Sequence, residues 1–120
     1  MLKLRRLGMD SSMEAGMKLV QTKEEIIQRL ESNRSILRNF GIAQIGLFGS
    51  FVRDEQHEES DVDLLADFLP GKKTFENFMD AAFFLEDLMG RRVDLLTREG
   101  LSPYIGPYIL KELQYVPIAA

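Results

Sequence analysis

Ile45-Gly46-Leu47-Phe48-Gly49-Ser50, ten further residues, and then Asp61-Val62-Asp63-Leu64-Leu65-Ala66 decide how this chain is read. The first run is apolar, carries no charge and ends in Gly-Ser, as a buried strand does when it closes in a tight turn. The second opens with Asp-x-Asp and stays largely apolar to Phe68. Side chains two apart on a strand share a side. Asp61 and Asp63 are therefore expected to project together, while Val62, Leu64, Ala66 and Phe68 face a core. Further on, Val93-Asp94-Leu95-Leu96 sets a third carboxylate in a third apolar run, which a neighbouring strand would bring alongside the first two.

These residue types suit a nucleoside triphosphate and its metal ions. Mg²⁺ takes oxygen ligands, usually one or two carboxylates, with phosphate and water completing the octahedron. Two such ions about 3.5–4 Å apart clamp the attacking and leaving oxygens of an in-line displacement. Without a cation, clustered carboxylates repel one another, and at least one has a raised pKa. Gly49 permits positive φ and close approach of a phosphate to the backbone. Ser50 is expected to cap a short helix over 50–54, whose free N–H groups favour anions. Arg53, one turn along, is placed to pair with phosphate. Taken singly, a Gly-Ser is an ordinary turn, an Asp-x-Asp a solvated strand edge and Arg53 a surface residue. It is their coincidence at fixed spacing that points to chemistry.

Outward from this centre, Thr22-Lys23-Glu24-Glu25 has the form of a capping box. It predicts a helix running to about Asn39, stopped at Gly41, with Ile26, Ile27, Leu30, Ile36, Leu37 and Phe40 as its apolar stripe. Ile42 to Phe48 and 62–68 read as strands, with an acidic loop over 54–60 between them. Thr74 is expected to cap a helix to Met89 whose packed face includes Phe75, Phe78, Met79, Ala82, Leu85 and Met89. Gly90 stops it, and Val93–Thr97 is the third strand. Residues 102–113 predict a last helix interrupted at Pro107, and Tyr115–Ile118 an edge strand. Lys72, Lys73, Arg91 and Arg92 are candidates for attracting phosphate, against the plainer reading of solvated loop cations. This order predicts a single layer of α/β or α+β type: a small mixed sheet with helices on one face and the site on the other face or an edge.

Composition narrows the function. The chain has 120 residues, a size usual for one domain, and 45% hydrophobic content, sufficient for a core. A net charge of −4 argues against a nonspecific nucleic-acid binder and a membrane-surface role. With no cysteine there is no disulfide framework, thiolate metal site or cysteine nucleophile. The single histidine, His57, lies in the acidic loop and reads as solvated, which disfavours a Ser-His-Asp hydrolase. No apolar stretch is long enough for a membrane span or a signal-peptide core, so the cytoplasm is the expected compartment. Residues 1–20 read as a flexible N-terminal leader, basic and methionine-rich, with Met9, Met13 or Met17 as alternative starts. A basic arm touching a partner or RNA is the competing reading. The expected domain is 21–120.

Gly49-Ser50, the ten-residue gap and Asp61-Val62-Asp63 resemble the signature of the nucleotidyltransferase superfamily that includes DNA polymerase β, kanamycin nucleotidyltransferase and poly(A) polymerases. The small size, Gly46–Arg53, Ser60–Phe68, Val93–Thr97 and the tail through Glu112 are similar to its minimal branch, the MNT proteins, over about residues 22–118. The resemblance implies a palm-like fold. It also implies an antitoxin that transfers AMP from ATP to a tyrosine of a HEPN-domain RNase toxin. By the same resemblance, Gly49 and Ser50 bind the triphosphate, and Asp61 and Asp63 bind two Mg²⁺ ions. Asp94 holds the catalytic metal and helps deprotonate the acceptor hydroxyl. A departure is Asp54, where relatives often have Gly, which bears on the shape of the loop. The alternatives are an antitoxin that works by occlusion without catalysis, and an aminoglycoside-type small-molecule adenylyltransferase. Base preference, partner surface and oligomeric state are not legible.

Overall fold

A computed structural model describes residues 18–119; most of the leader, residues 1–17, lies outside the described residues. In chain order the elements are α1 (Lys23–Ser32), α2 (Arg34–Asn39), β1 (Ile42–Phe48), α3 (Ser50–Arg53), β2 (Val62–Phe68), α4 (Phe75–Met89), β3 (Val93–Leu96), a 3₁₀ turn (Arg98–Gly100), α5 (Gly106–Glu112) and β4 (Gln114–Pro117). The four strands form one mixed sheet in the order β3-β2-β1-β4, with β2 and β3 parallel and the other pairs antiparallel. The parallel pair needs a crossover, and α4 supplies it.

Local chemistry sets most boundaries. The Thr22 hydroxyl accepts the Glu25 N–H at 3.1 Å, and the Glu25 carboxylate reaches back to the Gln21 N–H at 2.6 Å, one residue earlier than in the usual box. The Thr74 hydroxyl caps α4 in the same way, accepting from Asn77 at 3.1 Å, and Gly90 ends it in the left-handed region at φ 69°. The single helix expected from Thr22 to Asn39 is broken at Asn33. Its N–H bonds to the Leu30 carbonyl and its side-chain amide to the Arg29 carbonyl, so the chain turns before α2 begins. Pro107 does not interrupt the last helix: it stands in the first turn of α5, where its missing N–H has no intrahelical partner to lose.

Strand alternation divides the sheet into two faces. Ile45 and Leu47 of β1, Val62, Leu64 and Ala66 of β2, Leu95 of β3 and Val116 of β4 join Ile26, Leu30, Leu37, Ala81, Leu85 and Met89 from α1, α2 and α4 in the main core. Phe68 packs against it. Each fully buried leucine or isoleucine there contributes about 1.5–3 kcal/mol. Val20, fully buried, belongs to this core, and its N–H donates to the Met89 carbonyl at 2.9 Å. Phe75 does not: it is 82% exposed at the start of α4, ahead of the turn where that helix meets the sheet. The opposite face carries a smaller cluster of Phe48, Leu65 and Ile109, with Leu96, Leu101 and Leu113 around it. Here α5 lies over the sheet and forms one wall of the site.

Candidate active site

Asp63 is the centre of the site. It leaves β2 on the face opposite the main core, as the alternation requires. The β1–β2 register sets it opposite Phe48, the last residue of β1, and the parallel register sets it opposite Asp94 of β3. Asp61 stands two residues earlier, immediately before the strand. Partial burial pushes the Asp63 carboxyl up to about 6, helped by the charges of Asp94 and then Asp61, while Arg53 pulls it down. The structure thus brings both Asp94 and Asp61 within electrostatic reach of Asp63.

Gly49 makes room for this carboxylate. Its φ is 84°, the left-handed region in which glycine is at ease, and a Cβ there would lie 2.9 Å from Asp63 Cγ. The turn and the acid are therefore in direct apposition. Ser50 is the first residue of α3 and not its cap; Gly49 holds the cap position, and no side chain caps the helix. With four residues, α3 is a single turn. It ends at Asp54, whose φ of 62° makes it the one non-glycine residue at positive φ among those described. That conformation accounts for glycine suiting this position.

Arg53 does not project free into solvent. Its Nη1 donates to both carboxylate oxygens of Glu112 at 3.1 Å, and its Nε to Glu55 at 3.0 Å. The side-chain bonds to Glu55 and Glu112 raise its already high pKa. Glu112, the last residue of α5, also accepts the Gly49 N–H through Oε2 at 2.8 Å. Nothing in the sequence marks Glu112 for this role, because the contact spans 63 positions. An open cleft of about 610 Å³ runs between these groups. Phe48, Gly49, Arg53 and Asp63 form one side, with Ile105, Tyr108, Lys111 and Glu112 on the other. Ser50, Asp61 and Asp94 are not among its walls.

Arg91 serves the site indirectly. Its Nη1 donates to the carbonyls of His57, Glu58 and Ser60 at 3.2, 2.7 and 3.0 Å, its Nε to that of Val20 at 2.6 Å, and its guanidinium lies 5.2 Å from the centre of the Phe51 ring. It is a clamp on the loop that delivers Asp61, not a phosphate-attracting cation. His57 is exposed in that loop, as expected. Lys73 pairs with Glu99 at 3.1 Å. Further along the same face of the sheet, Arg98 binds Asp67 and the Tyr115 hydroxyl, and Gln44 donates to Asp67 at 2.9 Å. Burial opposes ionisation of Asp67, but these bonds outweigh it and hold its carboxyl below the ordinary range.

The residues fit divalent cations bound together with a polyphosphate. Among the described residues, no three acidic or histidine side chains close a metal cage by themselves. A Mg²⁺ site completed by phosphate and water needs only one or two carboxylates, and Asp63 with Asp61 or Asp94 would offer such oxygen donors. The glycine at 49 leaves beside Asp63 the space that any side chain would fill.

The nucleotidyltransferase domain family matches residues 23–116. The protein adenylyltransferase MntA of Thermococcus cleftensis is 42% identical over 98 residues, covering 79% of this chain and 96% of that protein. A candidate protein adenylyltransferase of Methanocaldococcus jannaschii is 34% identical, covering 81% of this chain and all of its own length. A solved structure described as a candidate minimal nucleotidyltransferase superposes with a TM-score of 0.60 at 32% identity, over 73% of this chain and 93% of that one. A toxin–antitoxin crystal structure with AMP-PNP, at 22% identity and a TM-score of 0.53 over 79% of this chain and 72% of that one, shares the fold. The chain belongs to the nucleotidyltransferase domain family and is a homologue of the protein adenylyltransferase MntA.

Proposed function

We propose that this nucleotidyltransferase moves AMP from ATP to a tyrosine hydroxyl of a HEPN-domain RNase toxin, with Mg²⁺, and so acts as that toxin's antitoxin. The observation that carries the reading is the apposition of Asp63 to the Gly49 turn, with Asp94 beside it in register. In this reading the triphosphate lies along Gly49 and Ser50 and meets Arg53. The acceptor oxygen attacks the α-phosphate, the bond to the β-phosphate breaks, and pyrophosphate leaves. Asp94 takes the hydroxyl proton. Asp61, Asp63 and Asp94 would hold the metal ions, whose charge would offset that of the phosphates. The remainder of the rate comes from positioning.

The cleft rim favours a protein acceptor. Tyr104, Ile105 and Tyr108 are 86%, 55% and 74% exposed, and Ile105 and Tyr108 line the same cleft as Asp63. An apolar rim suits a protein surface better than a polycationic antibiotic. It also suits the second reading, neutralisation by covering the partner without chemistry. Asp61→Asn with Asp63→Asn separates the two. We expect this variant to fold, to bind the partner and to transfer no labelled AMP, with loss of neutralisation. Undiminished transfer overturns the metal assignment. Neutralisation that survives without transfer favours occlusion.

A further inference from the structure

We propose that Glu112 is a displaceable stand-in for phosphate, holding the triphosphate-binding groups in place and yielding to the nucleotide. The inference rests on the reading that the triphosphate lies at Gly49 and Arg53, and goes beyond it by naming the residue that sets the affinity of that seat.

The geometry is that of an anion in its site. One carboxylate oxygen of Glu112 accepts the Gly49 N–H at 2.8 Å, and both oxygens accept Arg53 Nη1 at 3.1 Å. A backbone N–H at a glycine turn and a guanidinium one helical turn later are the donors that a phosphate oxygen takes. Glu112 reaches them from α5, across the cleft, and its side chain is 24% exposed. It belongs to neither the strand bearing Asp63 nor the turn bearing Gly49, so it can withdraw without disturbing either. While seated, it keeps the Gly49 N–H and Arg53 aligned on one point. A triphosphate entering that point must break the same hydrogen bonds. Glu112 is therefore a positioning residue that competes with substrate. Its departure also releases the end of the helix that brings Tyr108 to the cleft.

The test compares MgATP affinity, by calorimetry, in the full chain and three variants. Glu112→Gln removes the charge and keeps the shape. Glu112→Asp keeps the charge but draws it back by one methylene from Gly49. Asp54→Asn removes a nearby charge that makes no contact with Gly49. Loss of one charge-assisted hydrogen bond from the competing state predicts binding about tenfold tighter in Glu112→Gln. Glu112→Asp is expected to tighten severalfold, and Asp54→Asn to change less than about twofold. In the transfer reaction Glu112→Gln is expected to lower KM for MgATP with no rise in kcat.

Equal tightening in Asp54→Asn assigns the effect to general charge and overturns the proposal. Weaker binding in Glu112→Gln makes Glu112 a plain brace and also overturns it, as does unchanged affinity in both Glu112 variants. Failure of the folded wild-type chain to bind MgATP at all removes the nucleotide seat itself, and this inference with it.

Discussion

Replacing Asp63 with asparagine is expected to stabilise the metal-free protein while abolishing its activity. The folded-state carboxyl titrates at about 6, against 3.8 for the free side chain. Two pH units and a fraction correspond to about 3 kcal/mol. The group is only half withdrawn from water, so solvent screening reduces this to about 1–2 kcal/mol. The sign follows from proton counting. Between pH 3.8 and about 6 the folded state holds more protons at this site than the unfolded chain. Stability therefore falls as pH rises through that window, and the penalty is complete above it. Asparagine carries no penalty at any pH. In EDTA at pH 7.5, Asp63→Asn is expected to raise Tm by roughly 5 °C or more, for a domain of this size. At pH 5 the gain shrinks to about half. Saturating MgATP reverses the ranking, because only the wild type gains from ligand binding. Thermal melts followed by circular dichroism at the two pH values measure all three effects. A variant no more stable than wild type at pH 7.5, or a gain that does not change with pH, refutes the claim that Asp63 is held ionised at a cost.

Gly49→Ala places a methyl group against the Asp63 carboxylate and forces alanine to positive φ. It is expected to lower stability by about 2 kcal/mol and AMP transfer by about 100-fold or more; wild-type rates in this variant refute the close apposition of turn and acid. Asp54→Gly relieves a left-handed residue at φ 62°. After allowing for the greater freedom of glycine in the unfolded chain, urea melts are expected to show a gain of about 0.5 kcal/mol; a loss of stability means that the Asp54 side chain itself holds the loop.

Features governed by near neighbours were legible in the sequence. β1 and β2 keep the bounds their apolar runs predict, and period-two alternation sorted Val62, Leu64 and Ala66 from Asp63. Thr74 and Gly90 marked α4 because capping is a local matter. That Asp63 would lie beside Asp94 and Gly49 was legible because residues two apart on a strand share a side and the strands of one sheet lie alongside each other. Two of the misreadings have a clear local cause. At Asn33 a side-chain amide competes with the helix for the Arg29 carbonyl, which helical periodicity does not register. At Phe75 the stripe continues by one residue beyond the surface it packs on. What was invisible joins distant parts of the chain. Glu112 meets Gly49 only once α5 has folded back across the sheet. Arg91 becomes a clamp only when the 57–60 loop and Val20 reach the same place.

That last residue ties the chain's entrance to its chemistry. One guanidinium fastens both the segment leading into α1, through Val20, and the loop that hands Asp61 to β2. Whatever tugs on the polypeptide just ahead of position 20, whether a fused tag, a proteolytic nick or a docked partner, pulls on the same knot that steadies a candidate metal-binding aspartate. Truncations of this protein are therefore best made well upstream of Val20, and an activity difference between two N-terminal designs is first to be sought in that loop.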